Sequence, residues 1–138
     1  MTPSQAPLPF LGTWKLAKCE SSRPDLPHPT SGVTTFTQKE DGIHYSNEGV
    51  WSDGRTAKVS AVLQLDGSWC PIAGSLITDA LSLHVDGASF EAKMRKGGVD
   101  VGSNRSTYSA DGRTMMGHWE IAGPGGTTIT WKTTSERQ

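Results

Sequence analysis

Signatures that announce chemistry are scarce in this chain, and each scarcity closes off a class of function. There are 2 cysteines in 138 residues. Cys19 and Cys70 lie far apart, read as free thiols, and make a poor zinc site, since structural zinc wants four closely grouped ligands. No metal is expected. There is no Gly-x-Ser-x-Gly elbow, no His-Glu-x-x-His, no phosphate-cradling glycine loop and no Cys-x-x-Cys, so no cofactor is expected either. Charge of one sign is missing too. The 13 basic and 14 acidic residues are scattered without runs and sum to a net charge of −1, which leaves no global field for nucleic acid or an anionic membrane. Nor is there a long apolar stretch for membrane insertion. Residues 1–9 carry three prolines but no basic or apolar run. They read as an extended arm rather than a signal peptide or anchor, with a cytoplasmic location as the default. Oligomeric state leaves no trace.

What the chain does have is glycine at turns. Asp41-Gly42, Asp53-Gly54, Asp66-Gly67, Asp86-Gly87, Gly97-Gly98 and Asp111-Gly112 divide it into short pieces, and Pro124-Gly125-Gly126 continues the series. A two-residue turn between twisted antiparallel strands needs positive φ, which Gly and Asp tolerate, so these read as hairpins. The pieces between them behave as strands. From Thr56 to Leu65, Ala57, Val59, Ala61, Leu63 and Leu65 alternate with a polar set broken only by Val62, and similar alternation runs over Leu81–Val85 and Phe90–Arg95. Further strands are expected at 11–19, 33–39, 43–51, 99–109, 113–122 and 127–134, with a short irregular one near Trp69, where Pro71 and Gly74 deny a regular ladder. Helical periodicity is absent. The expectation is an all-β single domain over 10–138, an antiparallel up-and-down barrel of about 8–10 strands.

Between the first two strands, residues 20–32 carry prolines 24, 27 and 29. This reads as an ordered loop across one barrel end, either a lid or a plain surface strap.

The first strand opens Phe10-Leu11-Gly12-Thr13-Trp14-Lys15-Leu16. This resembles the first-strand Gly-x-Trp signature of the calycins, the lipocalins and intracellular fatty-acid-binding proteins. The whole chain is similar to small bacterial lipocalin-like proteins. The resemblance implies that Gly12 permits close backbone approach and that Trp14 plugs the closed end of the barrel. It departs from the fatty-acid-binding proteins, whose helix-turn-helix lid is replaced by the proline loop, and from nitrobindin-type haem barrels, since Lys15, Leu16 and Ala17 follow Trp14.

Taking the apolar parity as inward, the lining would include Phe36, Tyr45, Asn47, Trp51, Val59, Leu63, Leu83, Phe90 and Met94, with Trp119 and Trp131 from later strands. The plain alternative is that they only fill a core. On the eighth strand the dry residues Val99 and Val101 set a parity that carries Arg105 inward. There a guanidinium would need an internal acid or a ligand carboxylate, as interior arginines have in the fatty-acid-binding proteins. A bulge after Gly102 would turn Arg105 outward instead. His118 and Glu120, two residues apart on one strand, form an acid/base pair if their parity is inward and a solvated pair otherwise.

The reading that follows is a barrel binding a small hydrophobic molecule, anionic if Arg105 anchors it. The alternative is a cofactor-independent cyclase or isomerase using the same cavity, a class that works by shaping its substrate and leaves little sequence trace.

Overall fold

A computed structural model describes residues 8, 10–86 and 89–138; the expected arm over residues 1–9 lies, but for Leu8, outside them. Ten strands form among the described residues: β1 (Gly12–Ser21), β2 (Pro29–Lys39), β3 (Gly42–Trp51), β4 (Thr56–Leu63), β5 (Asp66–Ala73), β6 (Ala80–Asp86), β7 (Ser89–Lys96), β8 (Val99–Tyr108), β9 (Thr114–Ala122) and β10 (Thr128–Arg137). Each pairs antiparallel with its sequence neighbours, and β1 closes the ring against β10. The only described helical element is the 3-10 turn Pro124–Gly126 between β9 and β10.

The turns work as expected in place but not in type. All described non-glycine residues keep negative φ, whereas Gly54 sits at φ 89° and Gly112 at φ 70°. At Trp51–Arg55 the amide of Gly54 donates to the Trp51 carbonyl at 2.9 Å, and the Trp51 amide donates to the Arg55 carbonyl at 2.8 Å. This is a type I turn followed by a left-handed glycine, so Asp53 needs no positive φ. Its side chain instead accepts from the Arg55 amide at 3.1 Å, holding the turn two residues on. Asp66-Gly67 is displaced from its expected role, because both residues lie inside β5 and the β4–β5 link is Gln64 and Leu65. The Asp86-Gly87 turn falls partly outside the described residues.

The proline segment is shorter than the sequence suggests. β1 runs to Ser21 and β2 starts at Pro29, a residue whose fixed φ suits an extended start. The remaining loop is pinned to the β3–β4 turn by the His28 carbonyl, which accepts from the Ser52 amide at 2.8 Å.

Apolar residues at period two face inward and fill one end of the barrel. Phe10, Trp14, Ile43, Leu63, Leu83 and Met94 are its most completely buried large side chains. Phe10 packs edge-on to Phe36 and Phe90, at 5.2 and 5.5 Å between ring centroids. Trp14 does plug this floor. Its indole N–H donates to the Phe10 carbonyl at 2.8 Å, and the Arg137 guanidinium lies 4.3 Å over its ring. Arg137 also donates to the carbonyls of Leu11 and Gly112. Gly12 is required for this arrangement for two reasons. It sits at φ +118°, and a Cβ there would come within 2.6 Å of an Arg137 nitrogen. The glycine therefore makes room for a side chain rather than for backbone.

Two places in the wall are loose. β4 and β5 pair only at Ser60–Ala73 and Ala61–Ile72. β1 pairs with β2 only from Gly12 to Lys15. Beyond a register shift between Leu16 and Lys18, β1 continues against β10 alone.

Candidate ligand cavity

Above the floor the barrel holds a cavity of about 180 Å³, partly open to solvent. Its position follows from the taper of side-chain size along the strands. Phenylalanines and Trp14 close the end where β1 begins. Toward the other end the inward positions include Gly32 and Gly49 and the small polar residues Thr34 and Asn47, which leave space.

The structure brings Phe36, Tyr45, Asn47, Trp51, Leu63, Phe90, Met94, Trp119 and Trp131 onto this one wall. Val59 and Leu83 join them. Trp69 does not. It lies on the outer face with the Arg95 guanidinium 4.0 Å over its ring.

Arg105 requires a correction: it is exposed on the outside of β8, and Asn104 and Ser106 face inward in its place. The cause is a bulge. Met94 pairs with Gly102 but Arg95 pairs with Asp100, so Val101 is an extra residue and the parity set by Val99 and Val101 reverses beyond it. Gly102 supplies room at that point, since a Cβ would lie 3.0 Å from the Met94 methyl and 3.1 Å from Ile121 Cδ1. Glycine inside a strand was the available signal, and it pointed to the right neighbourhood. His118 and Glu120 are likewise exposed on the outer face of β9.

Interior polar groups are neutral and largely satisfied. Asn47 Nδ2 donates to Thr34 Oγ1 at 2.8 Å. Ser106 Oγ donates to Asn104 Oδ1 at 2.9 Å. Trp119 Nε1 donates to Thr133 Oγ1 at 3.0 Å. Gly117 between them has no Cβ, which would fall 2.5 Å from Thr133 Oγ1 and 2.9 Å from Trp119 Nε1. Among the described residues, the buried side-chain polar atoms without a partner are Tyr108 Oη and Trp131 Nε1. Tyr108 belongs to the floor, packed on Trp14 and Phe90. Trp131 lines the cavity.

The sequence reading missed Asn104, Ser106, Thr133 and the wall residues Leu76, Ile77 and Thr78. The last three come from the link between β5 and β6, whose Pro71 and Gly74 flanks carry no periodicity. Thr78 is 6% exposed, and its hydroxyl lies within hydrogen-bond reach of the Ala80 and Arg95 carbonyls.

No His, Lys, Arg, Asp or Glu lines the cavity among the described residues. Its one titratable side chain is Tyr45, whose phenol burial pushes up to about 12. No cluster of three or more potential metal ligands forms among the described residues. None of their helices is long and apolar enough to cross a membrane.

No family model and no curated protein matches this chain by sequence. Solved structures do match its fold. The S-type phycobiliprotein lyase CPES from Guillardia theta superposes with a TM-score of 0.60 at 15% identity, over 94% of this chain and 89% of that one. Rv2717c from M. tuberculosis gives 0.58 at 16% identity, over 96% and 98%. The zebrafish ileal bile acid-binding protein, complexed with cholic acid, gives 0.53 at 12% identity, over 94% and 99%. At these identities the likeness is one of fold: the chain forms a closed antiparallel barrel similar to theirs.

Proposed function

We propose that the protein binds a small, uncharged, hydrophobic molecule, planar enough to lie among Trp51, Trp119 and Trp131. The observation that carries this reading is the interior space itself, about 180 Å³ walled by aromatic and aliphatic side chains with neutral polar groups among them. Such sparse polarity in an apolar pocket orients a ligand without demanding charge. The volume is slightly above the roughly 150 Å³ of an engineered cavity that takes benzene, so one or two rings fit. The resemblance to barrels such as the bile acid-binding protein supports ligand binding in general terms. An anion held by an interior arginine loses its support, because Arg105 is outside and no cation among the described residues lines the wall. An isolated carboxylate there would be desolvated without compensation.

Native mass spectrometry of freshly purified protein, with solvent extraction of any extra mass, tests the proposal. A bound neutral organic molecule is expected. An unliganded mass, together with unchanged tryptophan fluorescence across a panel of one- and two-ring aromatics, would refute it. The catalytic alternative, a cyclase or isomerase, uses the same cavity and has Tyr45 as its single titratable group. It is distinguished by turnover, since a binder returns the extracted molecule unaltered.

A further inference from the structure

The two asparagines on the cavity wall are used differently. Asn104 is 2% exposed and engaged at both ends of its amide: Oδ1 accepts from Ser106, and Nδ2 donates to the His118 carbonyl at 3.4 Å. Asn47 is engaged at one end. Its Nδ2 donates to Thr34 Oγ1 on β2, while its Oδ1 accepts from no described residue. That oxygen is not sealed in the wall either, since the buried side-chain polar atoms without a partner are Tyr108 Oη and Trp131 Nε1. It is accessible. Asn47 stands half-buried at an inward position of β3, between Tyr45 and Gly49 in the lining, so the space its oxygen meets is the cavity. With Nδ2 held toward β2, the planar amide turns Oδ1 away from that strand. The neighbours leave it clear. Val59, its partner on β4, offers only methyls, and one step toward the mouth Gly32 and Gly49 pair across β2 and β3 with no side chain between them and the cavity. Gly49 is held to glycine by close packing, because a Cβ there would fall 2.5 Å from the Ser31 carbonyl oxygen.

Resting on the cavity reading above, we propose that Asn47 sets the ligand's chemical class: its Oδ1 accepts a hydrogen bond from a ring N–H or a hydroxyl carried on a flat one- or two-ring frame. Thr34 positions the amide by taking its other end. Binding displaces water from the oxygen, so a ligand of the same outline without a donor leaves the acceptor unmet, whereas a donor-bearing one replaces the lost bond. Selectivity arises because that penalty falls on the wrong ligand.

Indole and benzothiophene form a suitable probe pair, close in outline, the one carrying an N–H where the other has sulfur. Their affinities are measured by heteronuclear NMR on the full chain. Asn47→Leu, which keeps the bulk and removes the acceptor, is expected to lower the ratio of indole to benzothiophene affinity by roughly tenfold, because the indole N–H is then buried unpaired. Comparing the ratio between the two proteins cancels the ligands' difference in hydrophobicity and any change in cavity shape common to both. The wild-type protein gives a second readout independent of that variant's folding: the side-chain carbonyl carbon of Asn47 should lie downfield in the indole complex relative to the benzothiophene complex. Binding of both compounds with a ratio unchanged by Asn47→Leu, or with that carbon at the same position in both complexes, overturns the donor proposal alone. Failure of both compounds to bind overturns the cavity reading and this inference with it.

Discussion

The two ends of this barrel use the same residue type in opposite ways. At the floor, Trp14 is fully buried and fully engaged: its N–H reaches the Phe10 carbonyl, its face carries Arg137, and Gly12 clears the space. Toward the mouth, Trp131 is almost as buried but its N–H is unmet, and its partner Trp51 is only half-buried. The strands around them differ in the same sense. β1 pairs on both sides near the floor and on one side above it. A polar group satisfied within the protein stabilises the fold, whereas one left unsatisfied costs it, as Tyr108 does in the floor as well. The floor packs the barrel closed with aromatic rings, and the upper half leaves the space that the proposed ligand would fill.

The strongest way to break this contrast is to truncate one indole at each end. Trp14→Ala removes a large plug and the ring beneath Arg137, and is expected to cost about 3–5 kcal/mol in denaturant unfolding. Trp51→Ala should cost about 1–2 kcal/mol, since it is half-buried, while weakening ligand binding at least tenfold. Equal destabilisation by the two would erase the distinction.

The two tyrosines sharpen it through pH. Burial raises Tyr45 to about 12 and raises Tyr108 as well, with Arg137 opposing only in part. A phenol with a raised folded pKa holds its proton more tightly when folded. Its contribution is therefore whole below about pH 10 and is lost as pH rises from about 10 toward 12. The phenolate absorbance of native protein should stay flat at pH values where an unfolded control has already ionised. Ordinary titration of either tyrosine in the folded state would contradict the burial of its phenol.

The smallest effect is expected at Arg105. Arg105→Leu on the outer face should leave stability within about 0.5 kcal/mol and ligand affinity unchanged. A marked loss of affinity by calorimetry would mean that β8 carries the opposite parity.

Arg105 also shows where sequence reading stops. The Asp-Gly turns, the period-two strands and the Gly12-Trp14 pair are patterns of near neighbours, and they yielded an antiparallel barrel and eleven inward residues now seen on one wall. Parity on β8 could not be carried past Val101. One extra residue exchanges every face beyond it, and its presence depends on how β7 pairs alongside. The same limit applied to Asp66-Gly67, whose turn-like chemistry was absorbed into a strand.

Local order, then, was written in the chain: hairpin rhythm and alternation are imposed by backbone sterics and by the need to keep one face dry, both readable a few residues at a time. What the fold added depends on residues distant in sequence. Arg137 reaches the Leu11 carbonyl across 126 positions. Asn104 replaced Arg105 inside because of a neighbouring strand, and Trp131 was left without an acceptor by everything packed around it. Hydrogen-bond satisfaction is a property of a finished neighbourhood, and no stretch of sequence contains one.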